Sequence, residues 1–403
     1  MTRKRVERAW AAVAAVTILN LPLGSIYAFS VFLKPIEHDL GISRSALSLV
    51  FGLATIGFTA GVNLAPLAFG RAPAWLLLAI SMAPAAAGIG LAASANDLVE
   101  LLLGYSVLFG VGGGVAYMVL QQGANLLVRH RKGLLNGYIV GLYPAGAMIA
   151  APLFGWANAA FGFRVTLGGL AVALLLTGLA AMGFTLHAGT ELPRRAASAA
   201  SSQNARRTGI FVRLSAVFFL AAAAGLTVLS QAAGIIAAYG GGTATALATT
   251  TAITGAIAFA RITGGWLVDR FPVPLVSAFA HVLAAIGAVV LTLWPEPLVA
   301  AFALGAIGMG YGFVSGSTAG AIAVYWPPAD YGRVASRLYI AWCVAAVTLP
   351  VLAGYLFDIT RSYHAAVIIA GCGNLLGLSI ALGLPRQASR QVALASNVGA
   401  INR

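Results

Sequence analysis

Twelve long apolar stretches alternate with short polar segments along the 403 residues of the chain. By approximate position they are 9–33, 45–69, 74–94, 98–127, 134–158, 164–186, 211–239, 246–268, 274–294, 297–325, 335–357 and 365–385. A helix that crosses the hydrocarbon core of a bilayer needs about 20 apolar residues, and membrane helices tolerate the glycines and prolines found here. The pattern predicts an all-α membrane protein with twelve transmembrane helices.

One long polar segment, HAGTELPRRAASAASSQNARRTG from His187 to Gly209, separates the sixth apolar stretch from the seventh. Its serine, alanine and arginine content is typical of a solvated linker. We therefore expect a six-helix bundle over residues 1–186, a cytoplasmic linker over 187–210, a second six-helix bundle over 211–385 and a cytoplasmic tail over 386–403.

The two bundles also repeat each other in sequence. Gly133 and Gly155 bracket GLLNGYIVGLYPAGAMIAAPLFG, and Gly332 and Gly354 bracket GRVASRLYIAWCVAAVTLPVLAG at the same spacing, half a chain later. A duplicated unit with an even number of helices keeps both copies in the same orientation. Two parallel six-helix repeats around a site at the membrane midplane are the layout of one large class of transporters.

The composition excludes a soluble protein and argues against a nucleic-acid partner. Only 8% of the residues are charged, against about 25% in soluble domains, and 60% are hydrophobic. The formal net charge of +14 comes from short basic clusters between apolar stretches, without the basic stripe and interleaved aromatics of a nucleic-acid surface. Under the positive-inside rule these clusters place both termini in the cytoplasm of a bacterial-type inner (plasma) membrane.

The chain shows no signature of an enzyme or of a bound cofactor. No His, Cys and Asp residues have metal-ligand spacing, and no nucleophile–base pair is visible. The glycine-rich segment GVGGGVAY at 110–117 lacks the strand context and the G-K-[ST] ending of a phosphate loop, and close helix packing accounts better for its glycines. We expect no catalytic residue, no metal and no cofactor, with the lipid bilayer as a partner.

A permanent positive charge, Arg261, lies in AIAFARITGGWLVDRF, inside the eighth apolar stretch. It precedes Asp269 by about 12 Å of helix, which puts it near the midplane if Asp269 marks the membrane edge. Two structural roles compete with a functional one, because the side chain can snorkel to the headgroups or pair with a buried carboxylate. The distance disfavours snorkelling, and the ten acidic residues all lie in loops or at predicted helix ends. An unpaired guanidinium suits a carboxylate ligand in a water-filled cavity, so we predict that Arg261 binds a small organic anion.

The segment after this arginine carries a family resemblance. GWLVDRF at 265–271 resembles the G-x-L-x-D-R loop motif of the major facilitator superfamily, with Gly265, Asp269 and Arg270 matching. Glycine permits close approach of two helices, and aspartate can cap a neighbouring helix end. The resemblance implies a conformational latch between the two bundles.

The N-terminal copy of this loop, PLAFGR at 66–71, departs from the motif. Pro66 stands at the glycine position and Gly70 at the aspartate position, and only Arg71 matches. The motif alone therefore does not predict a working latch in this half.

Four segments resemble the oxalate/formate antiporter and monocarboxylate transporter group of that superfamily. They are GSIYAFSVFLKPIEHDLGIS at 24–43, RHRKGLLNGYIVGLYPAG at 129–146, ARITGGWLVDRF at 260–271 and LYIAWCVAAVTLPVLAGYLFDITRSY at 338–363. The resemblance implies that Arg261 is a ligand of the substrate anion and that the protein is a monomer. Trp342 stands where the oxalate branch has a second cation, a lysine, so a monocarboxylate is favoured over a dianion. Trp342 can also stack on an aromatic acid.

Polar and aromatic residues on the predicted cavity helices complete the candidate site. They are Tyr27 and Ser30 in the first helix, Tyr117, Gln121 and Gln122 in the fourth, Tyr143 in the fifth, Gln231 in the seventh, and Tyr339 and Trp342 in the eleventh. In the resembling family aromatic residues cage the substrate, and tyrosine hydroxyls or glutamine amides can hydrogen-bond an acid. For each residue, ordinary packing with a satisfied polar tip is the alternative.

The predicted function is secondary active or facilitative transport of a small organic anion, preferably a monocarboxylate, by alternating access. No acidic residue lies in the turn before Arg261, and His281 is predicted to pack in a peripheral helix. Exchange or facilitated diffusion is therefore favoured over proton-coupled symport. The alternative is a carrier or exporter of a larger aromatic or amphipathic compound, such as a drug- or vitamin-like molecule.

Overall fold

The computed structural model describes residues 3–193 and 201–386, and their regular structure is helical. The α-helices are α1 (Arg3–Leu23), α2 (Leu33–Leu40), α3 (Arg44–Ala68), α4 (Ala74–Ser94), α5 (Leu98–Leu101), α6 (Gly110–Leu127), α7 (Lys132–Ala188), α8 (Ser201–Ala238), α9 (Thr243–Val268), α10 (Val273–Leu293), α11 (Pro297–Tyr325), α12 (Tyr331–Val347), α13 (Leu349–Thr360) and α14 (His364–Leu382). The predicted all-α class is confirmed. We call α1–α7 the N-terminal half and α8–α14 the C-terminal half.

Eleven helical runs among the described residues are long and apolar enough to cross a membrane. The fifth run, α7, is 57 residues long and is interrupted at Gly162, whose φ of 80° is open to glycine without steric cost. The segment on either side of Gly162 is longer than the about 20 residues that one crossing needs. Counting these two segments separately gives twelve helical segments of sufficient length among the described residues, and the twelve membrane crossings stay a prediction.

The structure departs from the predicted spans in two ways. The helix α8 begins at Ser201, inside the predicted linker, while 194–200 and the predicted tail from 387 onward lie outside the described residues. A 3-10 helix at Gly24–Phe32 and a π-helix at Leu102–Phe109 replace α-helical geometry inside two predicted spans. The apolar pattern could not show the 3-10 and π segments, because it records hydrophobicity and not which backbone groups hydrogen-bond to each other. The division into bundles at 1–186 and 211–385 stays a prediction.

Large apolar side chains lie on the outer faces of the helices. Phe302, Leu247 and Leu298 are each more than two-thirds exposed, and many others accompany them. Soluble monomers rarely expose apolar surface on this scale, because contact with water disfavours it. The exposed faces therefore fit a lipid environment.

The two halves meet mainly where α7 contacts α9 and α11 and where α3 contacts α12. Where α7 meets α9, a Cβ added to Gly265 would lie 2.6 Å from the Cα of Gly137, so only glycines permit this approach. This contact lies near the end of the bundle that carries Asp269 and the basic loop at 129–132, which we call the basic end. At the opposite end, the 3-10 segment Gly24–Phe32 and α13 pack mainly within their own halves. The structure is therefore closed at the basic end.

Candidate functional site

A small cavity of about 20 Å³ lies where the two halves meet. It is lined by Tyr27, Phe58, Tyr117, Val140 and Tyr143 from the N-terminal half and by Phe218, Arg261, Tyr311, Ser315, Tyr339 and Trp342 from the C-terminal half. Most of these residues lie well inside long helices, so the cavity is deep in the bundle, as a midplane site requires. Among the described lining residues, Arg261 alone carries a charge.

The side chain of Arg261 reaches the cavity from α9 and is 4% exposed. Its Nη1 donates to the carbonyl oxygen of Val140 at 2.9 Å, and its Nη2 donates to the hydroxyl of Tyr311 at 2.7 Å. The Nε–H is buried without an acceptor, and the ion pairs found among the described residues do not include Arg261. Both hydrogen-bond partners are neutral. A buried charge without a counter-charge is unfavourable, so this site favours the entry of an anion.

Sequence reasoning missed Tyr311, which holds the guanidinium in place. Its hydroxyl accepts from Arg261 and also from Nε1 of Trp342 at 2.9 Å, and the guanidinium carbon lies 5.1 Å from the centroid of its ring. A cation over an aromatic face gains electrostatic stabilisation. The sequence offered one signal for this residue, its depth in the membrane. Tyr311 lies at the centre of α11, where a residue that binds a ligand at the midplane is expected.

Aromatic rings form a cage around the rest of the cavity. Its members are Tyr27, Phe58, Tyr117, Tyr143, Tyr339 and Trp342, with neighbouring ring centroids 5.2–6.5 Å apart. The hydroxyls of Tyr117 and Tyr339 lie 2.7 Å apart, and the hydroxyl of Tyr143 is buried without a partner. The structure thus brings six of the sequence-predicted ligands, Arg261 included, into one cavity.

The remaining predicted side chains do not line the cavity. Nε2 of Gln121 donates to the hydroxyl of Tyr331 at 3.0 Å, toward the basic end. Gln231 accepts from the hydroxyl of Tyr363 at 3.1 Å, near the opposite end of the bundle. Ser30 is exposed. Gln122 contacts the segment that begins α12, where its amide bonds two backbone groups.

The carboxylate of Asp269 joins the two halves at the basic end. Its Oδ1 accepts from the backbone N–H of Gly133 and its Oδ2 from that of Leu134, each at 2.8 Å. These N–H groups belong to the first turn of α7, where they have no partner inside the helix and where the helix dipole favours a negative charge. The geometry suits the predicted latch, with Gly265 allowing the close approach.

The two arginines of the predicted latch stay within their own halves. The guanidinium of Arg270 lies 3.8 Å from the ring centroid of Trp266, and Nη1 of Arg71 donates to the carbonyl oxygen of Leu67. Neither contact crosses to the other half.

Outside the cavity, His281 is buried in the C-terminal half with its Nδ1 2.9 Å from Oδ1 of Asn374. Among the described residues, no three His, Cys, Asp or Glu side chains are placed to hold a metal ion.

The chain belongs to the Major Facilitator Superfamily, whose family model matches residues 15–319. Two curated relatives match parts of it. The uncharacterized MFS-type transporter YhjX of Escherichia coli (strain K12) is 26% identical over 149 residues, which is 37% of this chain and 37% of that protein. Monocarboxylate transporter 13 of Bos taurus is 32% identical over 130 residues, which is 31% of this chain and 30% of that protein.

Solved transporters of the superfamily share the fold over nearly the whole chain. FucP in the outward conformation has a TM-score of 0.71 at 13% identity and covers 96% of this chain and 100% of its own. The proton:xylose symporter XylE has a TM-score of 0.74 at 17% identity, covering 95% and 97%. The human organic anion transporter MFSD10 has a TM-score of 0.71 at 14% identity, covering 93% and 99%. At such identities the likeness establishes the fold and leaves the substrate open. The protein is a multi-pass membrane transporter of this superfamily.

Proposed function

We propose that this transporter carries a small organic anion, preferably a monocarboxylate, and that Arg261 binds the carboxylate. The observation that carries the proposal is the buried guanidinium of Arg261, which faces the cavity between the halves without an acidic partner among the described residues. An ionised group in that environment is stabilised when a ligand supplies the opposite charge. The planar donor fork of arginine matches a carboxylate.

A single charge in the cavity favours a single charge on the substrate. A monocarboxylate neutralises Arg261, whereas a dicarboxylate would bring a second charge that no described lining residue offsets. The partial match to a bovine monocarboxylate transporter supports the same substrate class. FucP and XylE, which is a proton:xylose symporter, share the fold at identities too low to carry a substrate across.

The proposed mechanism is alternating access, in which the two halves rock around the cavity. We place the basic end in the cytoplasm of an inner (plasma) membrane, because lysine and arginine concentrate in cytoplasmic loops. Exchange or facilitated diffusion by a monomer is proposed over proton-coupled symport, since no acidic side chain lines the cavity among the described residues.

The alternative is a carrier of a larger aromatic or amphipathic compound. The aromatic cage favours it, because Tyr27, Phe58 and Trp342 offer ring faces and edges to a flat apolar group. Benzoate, which combines a ring with a carboxylate, connects the two proposals.

Counterflow in proteoliposomes tests the proposal. Labelled formate, lactate, pyruvate, benzoate and oxalate are each measured against unlabelled self in the wild type, in Arg261→Gln and in Arg164→Gln. Arg164 pairs with Asp39 outside the cavity, which makes its variant a matched control. We expect monocarboxylate exchange that falls at least about 30-fold in Arg261→Gln, since a buried charge-assisted contact contributes ~2 kcal/mol or more. Exchange that survives this substitution, or no exchange of any acid by folded protein, contradicts the proposal.

A further inference from the structure

The hydroxyl of Tyr311 lies between two donors at the edge of the cavity. Nη2 of Arg261 lies 2.7 Å from it and Nε1 of Trp342 lies 2.9 Å from it. All three side chains are buried. Two donors that meet on one hydroxyl limit what that hydroxyl can do with a ligand.

The count of lone pairs and hydrogens shows the limit. A tyrosine hydroxyl has one hydrogen to donate and two lone pairs to accept with, whereas a guanidinium and an indole N–H only donate. The two donors therefore occupy both acceptor positions of Tyr311, and its hydrogen points at neither of them. No hydrogen bond donated by Tyr311 is found among the described residues. The hydroxyl is left as a donor in a group that lines the cavity.

We propose that Trp342 is a specificity-determining residue that acts through Tyr311, fixing this hydroxyl as a donor to the substrate carboxylate beside the free Nε–H of Arg261. The inference rests on the proposed anion-carrier function and adds the mechanism by which the site selects its ligand. Trp342 supplies an N–H at this position without adding a positive charge. This part of the cavity then offers the hydroxyl of Tyr311 and the Nε–H of Arg261 as donors, with a single positive charge. That arrangement fits one carboxylate.

Two consequences separate this role from simple packing. First, Trp342 and Tyr311 are coupled, so that the indole N–H has no effect on the substrate once the hydroxyl is gone. Second, the absence of charge at position 342 disfavours a dianion, which Arg261 alone leaves partly uncompensated. A tryptophan that only filled space would show neither property.

A double-mutant cycle tests the coupling. Counterflow KM is measured for the monocarboxylate with the lowest wild-type KM among formate, lactate, pyruvate and benzoate, in Trp342→Phe, Tyr311→Phe and the double variant. We expect KM to rise about fivefold in Trp342→Phe and at least about tenfold in Tyr311→Phe, with the maximal rate changed less than about twofold. In the Tyr311→Phe background, Trp342→Phe is expected to change KM by less than about twofold. Effects that multiply in the double variant overturn the proposal.

Trp326→Phe and Tyr105→Phe serve as matched controls, because both residues are buried away from the cavity. We expect both to keep the wild-type KM. Thermal unfolding and monodispersity of each purified variant verify that it is folded.

Trp342→Lys tests the second consequence, that the absence of charge at position 342 disfavours a dianion. Oxalate serves as the dianion. We expect the preference for oxalate over the monocarboxylate to rise at least about tenfold in Trp342→Lys and to stay unchanged in Trp342→Phe. No rise in Trp342→Lys, or a wild type that already prefers oxalate, contradicts the inference. If Arg261→Gln abolishes exchange but the cycle shows independent effects, the inference fails while the proposed function stands. If no acid is exchanged at all, both fail.

Discussion

At the basic end the two halves meet through contacts at equivalent places of the sequence repeat, and the contacts differ chemically. In the C-terminal copy, the carboxylate of Asp269 accepts two backbone N–H groups at the start of α7. In the N-terminal copy, Gly70 occupies the aspartate position, with a φ of 71° and no side chain. The start of α12 is met instead by Gln122 of α6. Its Oε1 accepts from the N–H of Gly332 at 2.6 Å, and its Nε2 donates to the carbonyl oxygen of Pro328 at 2.9 Å.

The contacts made by Asp269 and Gln122 differ even more in burial than in charge. Asp269 is exposed, so water competes for its carboxylate and salt screens it. Gln122 is 0% exposed, and a buried backbone group that loses its partner costs ~1–3 kcal/mol. An exposed helix cap contributes about 1 kcal/mol. The recognisable motif therefore forms the weaker contact between the halves, and a glutamine outside the motif forms the stronger one.

The largest effect is expected for Gln122→Leu, which removes both hydrogen bonds of this buried amide at similar volume. Ser336→Cys, in a background with Cys343→Ala and Cys372→Ala, reports opening of the basic end, because Ser336 is buried on α12 and its carbonyl accepts from Asn63 of α3. Alkylation of this cysteine follows the population of the open state. In Gln122→Leu we expect the alkylation rate to rise between about fivefold and about 150-fold, as a loss of ~1–3 kcal/mol implies.

Gln231→Leu is the matched control for this variant. Gln231 bonds Tyr363 within the C-terminal half, so its loss breaks no contact between halves and should leave the alkylation rate unchanged. An unchanged rate in Gln122→Leu would show that the amide does not hold the basic end closed.

The contrast between Asp269 and Gln122 also shows what the sequence could and could not predict. Run length predicted the helices, a motif predicted Asp269, and distance from that motif predicted the depth of Arg261. The partner of Gln122 was not predictable, because α6 is buried on nearly all sides and its apolar pattern leaves the rotation of the helix undetermined. The role of Tyr311 was not predictable either. Its partners lie on α9 and α12, and no local spacing in the sequence links them to it.

A smaller, salt-dependent effect is expected for Asp269→Asn. The asparagine keeps an acceptor oxygen but loses the charge that favours the first turn of α7. We expect the same cysteine to react about threefold to fivefold faster at low ionic strength, where a cap contributes ~1 kcal/mol. At 1 M salt the Debye length is about 3 Å, so the difference should fall below about twofold.

Asp330→Asn is the control for charge removal at this end, because Asp330 pairs with Arg333 inside the same half at 2.9 Å. The effect of Gln122→Leu should be the same at both salt concentrations. An Asp269→Asn effect that is equally independent of salt would mean that charge is not what distinguishes the two contacts.

The smallest effects are expected at the one position where the two loop copies agree, Arg71 and Arg270. Arg270 stacks on Trp266 and Arg71 bonds the carbonyl of Leu67, so each contact lies within its own half and at an exposed surface. An exposed cation–π contact contributes about 0.5–1 kcal/mol, and it stabilises the loop equally whether the basic end is open or closed. We therefore expect Arg71→Gln and Arg270→Gln to change the alkylation rate by less than about twofold. If either variant accelerates alkylation as much as Asp269→Asn does, the shared arginine contributes to closure in both halves. The two halves would then share the arginine contact, and they would differ only in the added contacts of Asp269 and Gln122.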